Sequence, residues 1–263
     1  MTRRRSGDSL TVAYIPSARL EPLITIKVTD DLVTARTEME LGDFSQLPVM
    51  RGRKPVGVIS WQSIGRALAR NPEATLQDCL DVDYPRFRLD DDLLRAIGDV
   101  NRHGYVLVVG AREEIVGIVT SADLGEALAD LAQPFLYFER LEDNLRRLFD
   151  TLRTRGELSS EDVARALPRG AREVSAAAKE FTLGDLVAVL THATVWDRVT
   201  TSFERTAFQR SLTAATAARN KIMHFRELNA ADERTIETLP NLVRVSATLV
   251  EDLGTVNGDI SAE

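Results

Sequence analysis

The chain has 263 residues, of which 44% are hydrophobic and 28% are charged, a composition typical of a soluble globular protein. That length is enough for one large domain or two ordinary ones. The net charge of −7 argues against a protein that coats nucleic acid with its whole surface, so any contact with RNA or DNA is expected to be local.

The single cysteine, Cys79, excludes an internal disulfide and a cysteine-based zinc site, and it favours a cytoplasmic protein. The sequence contains no apolar run of about 18–20 residues that could cross a membrane. Residues 1–11 are basic and are predicted to be flexible. The three arginines of "MTRRRSGDS" either contact RNA or remain solvated.

Two segments of the first half match each other at a spacing of about sixty residues. "VGVIS" at 56–60 corresponds to "VGIVT" at 116–120, and "DDL" also occurs once in each segment. One residue is missing from the second copy between these anchors. Because a repeated unit usually needs its neighbour to bury its apolar face, we predict one module with copies at about 12–72 and 80–130.

Each copy has the pattern strand, helix, strand, strand, helix. "ITIKV" and "PRFRL" predict the first strands, and Thr29 and Asp90 are suited to cap the helices that follow. "LPVM" and "VLVV" predict the middle strands, and "PVGVIS" and "IVGIVT" the last ones. "WQSIGRALAR" and "SADLGEALADL" have helical spacing.

This doubled pattern resembles a tandem pair of cystathionine-β-synthase (CBS) domains over residues 12–130. The resemblance implies an α+β module with clefts between the copies. It also implies a regulatory adenine nucleotide in those clefts, such as ATP, AMP or a cyclic dinucleotide.

The signature of that family is a glycine, two apolar residues, Thr or Ser, two variable residues and Asp. The second copy matches it with Gly117, Thr120 and Asp123, whereas the first copy keeps Gly57 and Ser60 but has Ser63 in place of the carboxylate. The resemblance therefore implies a ligand at the second copy, with Ser60 as a weaker candidate.

The residue types suit such a ligand. A hydroxyl at a strand end and the free N–H groups of a helix start can donate to phosphate, and a carboxylate one turn on can accept from ribose hydroxyls. The alternative is that Thr120 and Asp123 only cap a helix, which is compatible with binding. Phe87 and Tyr105 either stack on the base or pack in the core.

From residue 131 to 253 the sequence predicts an all-α antiparallel helical bundle, followed by a disordered acidic tail at 254–263. Helical spacing is found in "PFLYFERLEDNLRRLFDTLRTRG", "SSEDVARAL", "FTLGDLVAVLTHATVW", "SFERTAFQRSLTAATAARNKIMHF" and "AADERTIETLPNLVRVSATLVEDL". Pro134 suits a first helical turn, and Pro240 is expected to break or kink the last helix.

"AARNKIMHF" places three polar side chains in a run of small and apolar residues. On a helix, Asn220 and His224 share a face, and Arg219 lies about 100° around the axis. A guanidinium can stabilise phosphoryl charge, and a histidine can exchange protons near neutral pH. Residues 198–226 also hold six Lys and Arg residues against one acid, Glu204, which favours either a phosphate-facing surface or a salt-bridged surface helix.

Arginine, asparagine and a histidine four residues on, late in a helical bundle, resemble the HEPN superfamily (higher eukaryotes and prokaryotes nucleotide-binding). "FTLGDLVAVL", "FQRSL" and "RNKIMHF" are similar to its Swt-like branch over residues 135–253. The resemblance implies a metal-independent endoribonuclease that works as a homodimer. Arg219 and His224 would then be catalytic and Asn220 would orient the site.

Some HEPN domains are inactive and bind RNA or a partner. In a purely structural alternative, His224 caps the helix and Arg219 forms an ion pair with Asp185 or Glu142. His192 caps or packs, and His103 is a turn residue.

The combined hypothesis is a nucleotide-regulated ribonuclease that cuts RNA through its own 2′-hydroxyl. Stress response, toxin activity or antiviral defence are the roles expected by fold-level analogy. The alternative is a non-catalytic nucleotide sensor whose helical half binds RNA or a protein. No metal is expected, since the sequence shows no cluster of His, Cys and acids with ligand spacing.

Overall fold

The computed structural model describes residues 10–167, 177–199, 203–224 and 226–255. The chain divides into two compact units, residues 1–129 and 130–263. Within the described ranges, no helix combines the length and the apolar character that a membrane crossing needs. The tail predicted at 254–263 lies outside the described residues, except for two residues at the end of the last helix.

The first unit contains two copies of one five-element pattern. The first copy consists of β1 (Ile26–Lys27), α1 (Leu32–Leu41), β2 (Gln46–Arg51), β3 (Lys54–Ser60) and α2 (Trp61–Arg70). The second copy consists of β4 (Arg86–Arg88), α3 (Leu93–His103), β5 (Tyr105–Val109), β6 (Ile115–Thr120) and the start of α4 (Ser121–Thr154). Short 3-10 helices lie at Val12–Tyr14, Pro16–Ala18 and Gln77–Cys79.

The two sheets have the same topology. In each copy the first strand pairs in parallel with the second, and the second pairs antiparallel with the third. Both antiparallel pairs shift register near the end of the middle strand, between Val49 and Met50 and between Val108 and Val109. The repeat predicted from the sequence is therefore present in the fold, down to this irregularity.

The caps of α1 and α3 lie two residues after Thr29 and Asp90, so this part of the prediction is wrong. The side chains of Asp31 and Asp92 accept hydrogen bonds from the backbone N–H three residues on, at 2.7 and 2.9 Å. The aspartate before each cap instead accepts from a strand N–H and closes the turn. Several adjacent acids are suited to cap each helix, and the geometry of the preceding turn selects the one that does.

The segment that precedes the first copy packs on the second copy. The N–H of Leu93 donates to the carbonyl of Leu10 at 2.9 Å, and Ile15 and Ala18 are buried with the apolar residues of the second copy. Residues 10 and 11 are thus held in place, contrary to the flexible segment predicted for 1–11, while residues 1–9 lie outside the described ranges. A separate cluster of Val58, Tyr105 and Leu107 joins the two copies.

The second unit is helical, as predicted. It contains the rest of α4, then α5 (Ser160–Ala166), α6 (Leu183–Leu190), α7 (Ala193–Trp196), α8 (Arg205–Met223) and α9 (Ala230–Thr255). The first helix was expected to begin near Pro134, but Pro134 lies inside α4, which continues without a break. Pro240 likewise lies inside α9 and does not end it.

The long helices do not all alternate in direction. Lys221 pairs with Asp232 at one end of α8 and α9, and Phe203 lies near Val245 at the other, so these two helices are antiparallel. In contrast, Asn144 of α4 contacts Ser246, and Arg155, just after α4, donates to the carbonyl of Leu253. Helices α4 and α9 therefore run in the same direction. The prediction of an antiparallel bundle is only partly correct.

One apolar core fills the second unit. Helix α4 contributes a buried stripe on its inner face, and α6, α8 and α9 pack against it. The stripe consists of Phe138, Leu141, Leu145, Leu148, Phe149 and Leu152. Burial of a Leu or Phe side chain is worth about 1.5–3 kcal/mol, so this stripe provides much of the unit's stability.

A buried carboxylate joins α5 to the segment after α7. Asp162 has 2% of its surface exposed and accepts two hydrogen bonds from Arg198, at 2.6 and 3.2 Å. It also caps α5 together with Ser159, whose hydroxyl donates to it at 2.7 Å. The bonds from Arg198, followed by those from Ser159, hold the pKa of Asp162 well below its ordinary value of 3.8.

We predict that Asp162→Asn lowers the free energy of unfolding by about 1–3 kcal/mol at about pH 7, because charge-assisted hydrogen bonds are lost in a buried site. Because the pKa of Asp162 is lower in the folded state, the stabilisation by its charge is complete above pH 3.8, the ordinary pKa. It is lost as the pH falls through the lower pKa of the folded state. Urea unfolding of wild type and variant at about pH 7 and about pH 3 measures this loss.

The exposed neighbour Glu161 provides the control for that measurement. It pairs with Arg165 on the same helix at 2.5 Å, so Glu161→Gln should cost no more than about 0.5 kcal/mol. A difference between wild type and Asp162→Asn that stays constant on acidification would contradict the role given to the ion pair.

Candidate functional site

The second copy brings Thr120 and Asp123 together at the start of α4. Oδ2 of Asp123 accepts from the backbone N–H of Thr120 at 2.7 Å and from its hydroxyl at 2.5 Å. The hydroxyl in turn accepts from the N–H of Asp123 at 3.3 Å. Among the described residues, Oδ1 of Asp123 has no hydrogen-bond partner. The pair therefore caps the helix with one carboxylate oxygen and leaves the other available.

Gly117 lies where two stretches of backbone approach closely. A Cβ atom at this position would come closer than 3.0 Å to the carbonyl groups of Ser17 and Ala18. The next segment is held nearby, because the N–H of Leu20 donates to the carbonyl of Val116 at 2.9 Å. The glycine of the signature is thus required here by packing, whether or not a ligand is bound.

The first copy repeats this arrangement with hydroxyl groups only. Ser60 and Ser63 form the capping box of α2, with bonds of 2.9 and 3.0 Å. The hydroxyl of Ser63 also donates to the carbonyl of Ser60 at 3.0 Å, so its capacity is used locally. Gly57 is less crowded, with Asp81 O at 3.0 Å from a built Cβ.

Both aromatic candidates are buried. Phe87 lies in the core of the second copy, and Tyr105, with 4% of its surface exposed, lies in the cluster between the copies. Burial and the nearby Asp81 raise the pKa of Tyr105, and its hydroxyl has no partner among the described residues. Of the two alternatives for these rings, the structure shows packing: in this conformation neither ring is exposed for stacking on a base.

The last turn of α8 holds Arg219, Asn220 and His224. His224 is the residue after the helix; its N–H donates to the carbonyl of Asn220 at 3.2 Å, and its side chain is exposed. Asn220 is also exposed, and its Oδ1 lies 3.4 Å from Nη1 of Arg219. The three predicted side chains are therefore neighbours at one helix end.

Arg219 takes part in an ion-pair network with α4. Its Nη2 lies 3.6 Å from Oε2 of Glu142, and the other oxygen of Glu142 accepts from Arg146. Arg146 also donates to the carbonyls of Ala178 and Phe181. Of the two partners proposed for Arg219, the structure pairs it with Glu142. The sequence analysis did not identify Arg146, although its position four residues after Glu142 on a helix favours an ion pair between the two.

These groups line a groove of about 350 Å³ that also contains Phe135, Phe138, Glu139, Asp143 and Met223. Phe135 and Met223 are exposed. Asn220 and His224 are not among the described residues that line this groove, so the histidine and the asparagine face solvent next to it.

Three of the six cations in the basic stretch 198–226 pair with acids from other helices. Arg198 pairs with Asp162, Arg219 with Glu142, and Lys221 with Asp232 at 2.6 Å. Arg205 donates to the carbonyl of Thr191 at 3.1 Å. For these three cations the structure shows the salt-bridged alternative, which reduces the positive charge available to a phosphate.

The two other histidines and the cysteine lie outside both candidate sites. His192 precedes α7, and its Nδ1 lies 2.9 Å from the hydroxyl of Thr194; His103 ends α3, and Cys79 is buried. In the parts of the chain that the structure describes, no group of three or more His, Cys, Asp and Glu residues could hold a metal ion.

The comparisons agree with the architecture of the first unit. Residues 18–70 match the family model for the CBS domain. Since the second copy has the same elements and strand pairing, the first unit has the fold of a CBS domain pair, followed by a mostly helical unit. The comparison with curated proteins found no match.

Several solved structures are similar to the first unit. The CBS domain pair of protein MJ0100, in complex with 5-methylthioadenosine and S-adenosyl-L-methionine, is 22% identical, with 46% of this chain and 98% of that one covered and a TM-score of 0.42. A putative acetoin utilization protein (AcuB) from Vibrio cholerae is 21% identical, with 48% and 94% covered and a TM-score of 0.42.

CBSX2 in complex with AMP is 17% identical, with 47% and 98% covered and a TM-score of 0.40. With TM-scores below 0.5, these similarities support no conclusion about a ligand of this chain.

We predict that Gly117→Ala destabilises the first unit by about 1–3 kcal/mol, because the new methyl group meets backbone that must shift. Gly57→Ala should cost less, since its closest contacts are at 3.0 and 3.2 Å. Gly65→Ala is the matched control: nothing lies within 4 Å, and alanine in a helix should stabilise by about 0.5–1 kcal/mol. Thermal unfolding of the three variants measures these changes in stability. Equal losses of stability in all three would contradict the packing role of Gly117.

Proposed function

We propose that the first unit binds an adenine nucleotide at the second copy, with Gly117, Thr120 and Asp123 as contacts. The main support for this proposal is the arrangement of side chains at the start of α4. Here Asp123 caps the helix through Oδ2 alone, and Oδ1 can accept from ribose hydroxyls. The free N–H groups at the helix start are suited to phosphate, and Thr120 would contact it once its hydroxyl proton is released from Asp123. ATP, AMP or a cyclic dinucleotide would act as a regulatory ligand.

Only one strong site per chain is expected. In the first copy Ser63 stands where Asp123 stands in the second, and its hydroxyl is already engaged with Ser60. Ser60 is accordingly a weaker contact, and Tyr105 has no role in this proposal because it is buried.

We predict that Asp123→Ala weakens adenine-nucleotide binding about ten- to hundredfold, since a hydrogen bond to a charged group is worth about 1.5–3 kcal/mol. Ser63→Ala, at the equivalent position, should change the affinity far less. Isothermal calorimetry with AMP and ATP provides the measurement, and circular dichroism checks that α4 still forms without its cap. Equal losses in the two variants, or no binding by the wild type, would contradict the assignment.

We further propose that the helical unit is a metal-independent endoribonuclease. The supporting observation is that Arg219, Asn220 and His224 lie together at the end of α8, with His224 exposed and without a side-chain partner among the described residues. The nucleotide bound to the first unit would regulate this activity.

In the proposed reaction the 2′-hydroxyl of RNA loses its proton to a base and attacks the adjacent phosphorus. The bond to the 5′-oxygen breaks, and that oxygen takes a proton from an acid. The products are a 2′,3′-cyclic phosphate and a 5′-hydroxyl. Arg219 would stabilise the charge on the phosphoryl oxygens.

One His224 can serve as base or acid but not as both in the same step. A second copy of the chain would supply the other histidine, and a homodimer is therefore part of the proposal. Small residues in "TAATAA" would allow two helices to approach closely.

The second candidate function is a non-catalytic nucleotide sensor whose helical unit binds RNA or a protein. Two observations favour it: Arg219 is paired with Glu142, and two further cations of the basic stretch, Arg198 and Lys221, are also paired with acids. Both observations reduce the attraction for a polyanion.

We predict that the purified protein cleaves RNA but not DNA in the presence of EDTA, and that His224→Ala reduces the rate by about 10²–10⁴-fold because proton transfer is lost. Arg219→Ala should also remove most activity. Liquid chromatography with mass spectrometry of the fragments should show the cyclic phosphate. Repeating the cleavage assay with ATP, AMP or a cyclic dinucleotide present tests whether the nucleotide regulates the rate.

His192→Ala is the matched control, because His192 lies on the same unit but outside the proposed site. Cleavage that requires magnesium, or that persists in both His224→Ala and Arg219→Ala, would contradict the proposal and leave the non-catalytic sensor.

A further inference from the structure

The position of Arg219 depends on a carboxylate of a different helix. Nη2 of Arg219 lies 3.6 Å from Oε2 of Glu142, which is an ion pair but longer than a good hydrogen bond. The side chain of Arg219 is 33% exposed and that of Glu142 is 21% exposed. Ion pairs with this degree of exposure contribute little to stability, so the contact can be exchanged for another.

Glu142, in contrast, is held from its other side. Its Oε1 accepts from Arg146, and Arg146 donates to the carbonyls of Ala178 and Phe181. These bonds fix the carboxylate where it faces Arg219. Glu142 is thus held by more contacts than Arg219, whose side chain makes only this ion pair and a long contact of 3.4 Å to Asn220 among the described residues.

The groove beside this pair does not favour a polyanion. It contains the acids Glu139, Glu142 and Asp143 against the two cations Arg146 and Arg219. Among the described residues, Glu139 and Asp143 have no ionic partner. A phosphate that approaches Arg219 from the groove therefore meets an excess of negative charge.

We propose that Glu142 holds Arg219 in a resting ion pair, and that an RNA phosphate must replace this carboxylate before Arg219 can act. Glu142 is then a positioning residue with an inhibitory effect on the site. This inference rests on the proposed ribonuclease function. It goes beyond that function because it names the group on α4 that restrains the catalytic arginine.

The first measurement does not depend on RNA. The rate at which phenylglyoxal modifies Arg219 is followed by mass spectrometry in wild type, Glu142→Gln and Glu139→Gln. Glutamine keeps an acceptor for Arg146 but removes the charge that faces Arg219. The rate should rise by about two- to fivefold in Glu142→Gln and stay unchanged in Glu139→Gln. Arg210, which lines a different pocket, serves as the internal reference.

The second measurement uses RNA methylated at every 2′-oxygen, which cannot be cleaved. Glu142→Gln should tighten its binding by about two- to fivefold, and Glu139→Gln by less, because Glu139 does not pair with Arg219. In an Arg219→Gln background the effect of Glu142→Gln should disappear. Thermal unfolding confirms that each variant is folded, and Glu142→Ala, which also removes the charge, replaces Glu142→Gln if the latter is not.

An unchanged modification rate in Glu142→Gln would overturn the resting pair. Equal gains in RNA affinity from Glu142→Gln and Glu139→Gln would overturn it too, because they would reflect general repulsion. A raised modification rate without any RNA binding would support the ion pair and contradict the exchange with phosphate. In that case the failure would lie in the proposed ribonuclease function.

Discussion

The hydrogen bonds that Asp123 accepts from Thr120 cap the start of helix α4, and this helix carries residues on which much of the structure depends. Further along the helix, Leu141 and Leu145 face the core of the second unit. The same phase places Glu142 opposite Arg219. Because the side chains of a helix follow each other at a fixed angle, the burial of Leu141 and Leu145 also fixes the direction in which Glu142 points.

This dependence gives the proposed nucleotide site a particular property. The carboxylate that would bind ribose is also the cap, but the two tasks use different oxygens. A ligand could therefore bind without removing the cap. In the first copy the equivalent hydroxyl of Ser63 donates to the carbonyl of Ser60 and accepts from its N–H. The two copies of the repeat thus differ chemically at this position, which is why we expect one ligand per chain.

The helical unit shows how tertiary contacts change the meaning of a charge pattern. Arg198 after α7 and the cations of α8 form a basic stretch, but α4, α5 and α9 each supply an acid that pairs with one of them. The pair between Asp162 and Arg198 is buried on one side and orders the chain. The pair between Glu142 and Arg219 is partly exposed on both sides. The first pair is structural, and the second is the one to which we assign the exchange with a phosphate.

The sequence by itself determined the repeat, the order of strands and helices, and the helical character of the second half, because apolar periodicity and turn residues are local signals. It also placed Arg219, Asn220 and His224 on one helix end, since spacing along a helix needs no tertiary information. Only the tertiary structure decided that Tyr105 is buried and that Glu142, 77 positions away, neutralises Arg219. It also decided that α4 and α9 run in the same direction. These features depend on contacts between residues far apart in the chain, and no local pattern records which distant acid or apolar surface will meet a given side chain.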